Sequence, residues 1–74
     1  MTSAVAGIVD QNGGLRIVVT QRRQMRAHVG KGEMLFIVPG LKVQEPVPWG
    51  KDTVDLIERV QAYVAIKRGR KWQS

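Results

Sequence analysis

Cysteine is absent, which removes disulfides, thiolate zinc sites, iron–sulfur clusters and a thiol nucleophile together. His28 is the single histidine, so a histidine-rich metal cluster is also excluded. Ser3 and Ser74 are the two serines, and no acid neighbours His28 along the chain. Asp52 and Asp55 are spaced for a helix start and not for a carboxylate dyad. Gly50-Lys51-Asp52-Thr53 lacks the Ser or Thr that a phosphate loop needs directly after its lysine. The inventory predicts a non-enzymatic protein with no cofactor and no metal. Aromatics amount to Phe36, Trp49, Tyr63 and Trp72. Met34–Pro39 is the longest apolar run, far short of the ~20 residues of a membrane span. No basic stretch precedes the first apolar residues, so no secretory signal is expected. The implied location is the cytoplasm: nucleoid-associated, or a host cytoplasm for a viral product.

What is present is enough for one small domain. The chain has 74 residues, 43% of them hydrophobic, in the range of globular proteins and above that of disordered ones. A chain of this length buries roughly 60% of its unfolded surface, so local signals must agree for it to fold.

Those signals begin with a hairpin. Asn12-Gly13 lies between Ala4–Val9 and Leu15–Thr20. Asn-Gly favours a two-residue type I′ turn, which sets Ile8 opposite Ile17 and Ala6 opposite Val19. The other face of that ribbon carries Val5, Val9, Arg16, Val18 and Thr20. It is half apolar, so cover on both sides is expected.

A meander is expected next. Met25, Ala27 and Val29 alternate with Arg26 and His28, and Met34–Val38 is a strong β run. Leu41–Glu45 alternates again after the Pro39-Gly40 turn. Turns at Lys31-Gly32 and Pro39-Gly40 would put Met25, Ala27, Val29, Met34, Phe36, Val38, Leu41 and Val43 on one face. Arg26, His28, Leu35, Ile37, Lys42 and Gln44 would share the other.

Pro46-Val47-Pro48-Trp49-Gly50 reads as a rigid crossing, with Trp49 as a lid on the sheet end. Asp52 is the expected helix cap. Leu56, Ile57, Val60, Tyr63 and Val64 form a stripe at helical spacing, and Gly69 is the expected stop. The expected fold is α+β: a small antiparallel curled sheet or barrel of four to five strands, with one C-terminal helix over about 52–67. Residues 1–68 form the domain, and 69–74 a flexible basic tail.

Charge is the functional signal. Twelve bases against six acids leave +6, unevenly spread. Residues 16–32 hold Arg16, Arg22, Arg23, Arg26 and Lys31 without an acid, a local +5. Residues 67–74 hold Lys67, Arg68, Arg70 and Lys71, a local +4. Two dense basic blocks are the footprint of a nucleic-acid binder. Candidate contact residues are Arg22, Arg23, Arg26, His28, Lys31, Lys67, Arg68, Arg70, Lys71 and Trp72, the last as a stacking surface.

Arg68-Gly69-Arg70 resembles the core of the AT-hook, whose extended Arg-Gly-Arg lies along an A·T-rich minor groove. The AT-hook has Pro next, where this chain has Lys71. In order of elements the chain is similar to the small archaeal chromatin proteins and the chromo-type barrels. That similarity implies a sheet face docked on DNA, with Arg26 and His28 beside Leu35 and Ile37. The expected role is regulation in a nucleic-acid process, transcription or DNA architecture, with DNA or RNA as partner. The alternative is a protein-binding regulator, such as a phage- or plasmid-encoded factor docking on an acidic partner like RNA polymerase.

Overall fold

The computed structural model describes residues 2–46 and 50–73, with side chains except at 51, 52 and 70–73. The sheet has three strands: β1 (Thr2–Val9), β2 (Leu15–Thr20) and β3 (Met34–Gln44), in the order β2-β1-β3. Both neighbours run antiparallel to β1. A 3-10 helix (Arg22–His28) joins β2 to β3, and α1 (Lys51–Gln73) ends the fold. The class is α+β. Four to five strands and a closed barrel are not formed by the described residues.

β1 is the centre, and its composition suits that place. Val5 to Val9 are all buried, as small and aliphatic residues must be in a strand covered on both faces. Alternation sends Val5, Gly7 and Val9 to one face and Ala4, Ala6 and Ile8 to the other. Val5 and Val9 cluster with Leu56, Val60 and Val64 of α1. A methyl group on Gly7 would lie 3.0 Å from Leu15, Val60 and Val64, so the bare backbone is what lets the helix approach this closely. Ala6 and Ile8 are fully buried on the opposite face. There the 3-10 helix packs on β1 and β2, with Met25 as its one buried residue. The molecule is therefore three layers: α1, the sheet, and the 3-10 crossover.

The hairpin register differs from expectation by one residue. Val5 pairs with Val19, Gly7 with Ile17 and Val9 with Leu15. Asp10 is the cause. Its Oδ1 accepts hydrogen bonds from the amides of Asn12 (2.9 Å) and Gly14 (2.8 Å). The Asp10 amide donates to the Gly14 carbonyl at 3.0 Å. An aspartate-centred loop over 10–14 replaces the two-residue turn. A one-residue slip exchanges the faces, so Leu15, Ile17 and Val19 join Val5 and Val9 under α1.

The segment 25–29 is not a strand. From Gln21 to His28 there is no β-branched residue, and Gln, Arg, Met and Ala favour helical backbone. The Met-Arg-Ala-His-Val alternation is a coincidence of order. Without that strand, Pro39-Gly40 does not join two members of a meander. Gly40 keeps the positive φ of the expected turn, 74°. Yet the chain on both sides pairs with β1: Ala6 with Ile37, then Ala4 with Lys42. Residues 38–41 loop out as a wide bulge in one long strand.

α1 follows the expected stripe. Leu56, Val60 and Val64 are buried, with Ile57 and Tyr63 half-buried. Asp52 is not the cap: the helix starts at Lys51, so Asp52 lies inside it. Thr53 Oγ1 instead accepts the Gly50 amide at 2.9 Å, the reciprocal half of a capping box. Gly69 does not stop the helix, which continues to Gln73. The expected crossing at Val47, Pro48 and Trp49 lies outside the described residues.

Candidate nucleic-acid interface

The fold divides the first basic block into three parts. Arg16 projects from β2 on the crossover side and is committed to structure. Its Nη2 donates to Glu33 Oε1 at 2.8 Å and to the His28 carbonyl at 2.6 Å, while Nη1 pairs with the other Glu33 oxygen. Gly30 adds its amide to Glu33 at 2.6 Å. The Arg16 guanidinium, helped by the Gly30 amide, holds the Glu33 carboxyl down at about 2, and Glu33 raises Arg16 in turn. Sequence windows missed the pair because Glu33 falls one residue beyond the basic stretch. A single acid on the border of such a stretch is the available signal.

Lys31 is exposed and lies beyond the end of the 3-10 helix. It lines a shallow cleft with Asp10 and Glu33 where the hairpin loop meets the 30–33 turn. Two carboxylates nearby make that end of the molecule a poor phosphate surface.

Arg22, Arg23 and Arg26 remain. All three are exposed on the 3-10 helix, and among the described residues none enters an ion pair. Three residues per turn stack positions i and i+3, which brings Arg23 and Arg26 to one side. The scaffold holding them is fixed at both ends. Thr20 Oγ1 donates to Gln24 Oε1 at 3.0 Å where the crossover begins. Arg16 clamps it where it ends. His28 is exposed, and its carbonyl is part of that clamp. The expected placement of Arg26 and His28 on a sheet face beside Leu35 and Ile37 is overturned, because they belong to the crossover.

Arg22 also contributes to a groove of about 530 Å³ at the β3 bulge. Lys42, Ser3, Val38, Leu41 and Tyr63 are among the other residues lining it. Lys67 stands over the Tyr63 ring with Nζ 5.6 Å from its centre, within cation–π range. Ser3 is buried, and its hydroxyl has no hydrogen-bond partner. Tyr63 was expected only as part of the helix stripe, and Ser3 had no expected role.

Arg68 is exposed on α1. The backbone of Arg68-Gly69-Arg70 is helical, so it is not the extended strip that the AT-hook likeness implies. The side chains of Arg70, Lys71 and Trp72 lie outside the described residues. No group of three or more His, Cys, Asp or Glu is poised to hold a metal among the described residues. No helix there is long and apolar enough to cross a membrane. No family model, curated protein or solved structure matches the chain.

Proposed function

We propose that the protein is a small, basic, non-enzymatic regulator in a nucleic-acid process, transcription regulation or DNA architecture. It contacts DNA or RNA through the arginines of its crossover. The observation that carries this reading is the exposed trio Arg22, Arg23 and Arg26, unpaired among the described residues on a short helix anchored by buried Met25. Arginines held ready, with no carboxylate to release first, suit phosphate contact.

The test is a titration on mixed-sequence duplex and single strands at several salt concentrations. Three phosphate contacts give a log–log slope of about −2.7 on duplex, steeper where Lys67 and Arg68 join. The double variant R23Q/R26Q is expected to flatten the slope by about 1.8. Absence of binding at low salt would sink the proposal.

A second reading, a protein-binding regulator docking on a partner such as RNA polymerase, is favoured by the free edge of β2. There half-buried Leu15, Ile17 and Val19 border an apolar cleft with Leu56 and Ile57. An exposed edge beside an apolar cleft suits strand addition. Recovery of an acidic partner from nuclease-treated lysate, abolished by I17D, supports this reading.

A further inference from the structure

We propose that the groove at the β3 bulge binds a nucleoside monophosphate, either free or as the phosphorylated end of a single strand. The choice of a nucleoside body rests on the nucleic-acid reading above; the choice of a phosphate monoester rests on the groove itself.

The volume, about 530 Å³, lies within the range of small-molecule sites. The groove supplies two kinds of surface. Arg22 and Lys42 bring two cations, and among the described residues neither is in an ion pair. A phosphate monoester near neutral pH carries about −1.5 to −2 charge, which two cations match. A diester inside a strand carries a single charge and leaves one base unanswered. Val38 and Leu41 provide an apolar wall, and Tyr63 a ring against which a base can pack. Lys67, already over that ring, adds positive potential from α1.

Two further features concern the backbone and the floor. The bulge takes Val38–Leu41 out of the β1 ladder. Gly40 leaves open space where a side chain would stand, with nothing within 4 Å of its Cβ position. The groove therefore has an unobstructed rim. Ser3, in the floor, holds the one buried side-chain polar atom without a partner among the described residues. An orphaned hydroxyl in a small core is costly, and an oxygen of a seated ligand, reached by a turn of the serine side chain, satisfies it.

The experiment is an amide NMR titration of the full chain with uridine 5′-monophosphate. Inorganic phosphate, uridine, and a tetranucleotide with or without its 5′-phosphate serve as separate probes. Saturable shifts are expected at Ser3, Ala4, Arg22, Gly40, Leu41 and Lys42. K42Q should weaken the nucleotide about tenfold, one lost charge-assisted contact. S3A should weaken it several-fold while the unliganded chain melts no lower. Preference for the 5′-phosphorylated tetranucleotide over both its unphosphorylated form and the free nucleotide identifies a strand end as the source; preference for the free nucleotide over both identifies that instead.

No saturable shift at millimolar nucleotide overturns the inference. So does inorganic phosphate binding as tightly as the nucleotide, since charge alone is then read. Uridine binding as tightly as its monophosphate overturns it too. K31Q, in a cleft that shares no residue with the groove, should leave nucleotide affinity unchanged; an equal loss there would mean that net charge alone is read, and also overturns it. Nucleotide binding without duplex or single-strand affinity removes the proposed function and leaves the groove standing.

Discussion

Arg16 and Glu33 carry a consequence that is readable in solution. Glu33 is held at about 2 against an ordinary 4.5, chiefly by Arg16 and then by the Gly30 amide. A depressed folded-state value means the carboxylate stabilises the fold above its unfolded pKa. That stabilisation is lost as pH falls from about 4.5 through about 2. E33Q is expected to lower the urea midpoint at neutral pH and to remove Glu33's share of its pH dependence in that window. Gly7 makes a different demand on the fold. Its missing methyl group is what α1 leans on, so Gly7→Ala should overpack the sheet–helix contact and destabilise by about 1–3 kcal/mol. Chemical denaturation reads that directly. An unchanged midpoint would show that α1 is free to shift outward.

At the scale of the element, the crossover is the part of the fold on which the proposed function rests. It is held by Met25 beneath, Thr20 to Gln24 at its start, and Arg16 at its end. Met25→Ala removes a fully buried side chain and is expected to cost about 2–5 kcal/mol, a large share of the stability of so small a domain. Met25→Leu conserves volume and should cost under about 1.5 kcal/mol while leaving nucleic-acid affinity intact. A leucine variant that folds but no longer binds would show that the arginine spacing depends on methionine itself. The β3 bulge offers a second test. Gly40 has φ 74°, which a side chain tolerates at a cost of roughly 1–2 kcal/mol. Gly40→Ala should therefore lower the melting temperature modestly. No clash accompanies it, because the Cβ position is open.

For the whole molecule, the sum of +6 does not describe the surface. Arg16 is spent on Glu33, and Lys31 faces Asp10 and Glu33 at one end of the sheet. Arg22 and Lys42 both line the groove at the bulge, and Lys67 lies over Tyr63. Among the described side chains, bases outside an ion pair gather on the crossover and at the bulge, with a second set, including Lys67 and Arg68, on α1. Removal of residues 69–74 takes away Arg70 and Lys71 and lowers the formal charge from +6 to +4. If the crossover arginines dominate, duplex affinity at moderate salt should fall by less than the double variant R23Q/R26Q lowers it. A larger loss on truncation would put the interface on the helix end. The helix geometry sets the scene for that comparison. Val64 is the last buried residue of α1 among the described residues, and the helix runs nine positions further. At 1.5 Å per residue that is about 13.5 Å of helix past Val64.

Periodicity and composition were sufficient for whatever depends on near neighbours along the chain. The α1 stripe, the β1–β2 hairpin, the buried character of β1 and the positive φ at Gly40 all follow from local sequence. So does the concentration of arginine before β3. The register of the hairpin was also local, but it lay in the Asp10 side chain and not in the Asn-Gly pair. Three features needed the folded chain. Whether Met25–Val29 is strand or helix depended on which face of the sheet lacked a cover, because its alternation and its helical propensity pointed in opposite directions. Whether Pro39-Gly40 reverses the chain or merely bulges depended on β1 offering a free edge to both flanks of β3. Which bases stay available depended on Arg16 meeting Glu33 across 17 residues of chain. An ion pair of that separation leaves no periodic trace; it exists only once β2 and the crossover are packed on the same face.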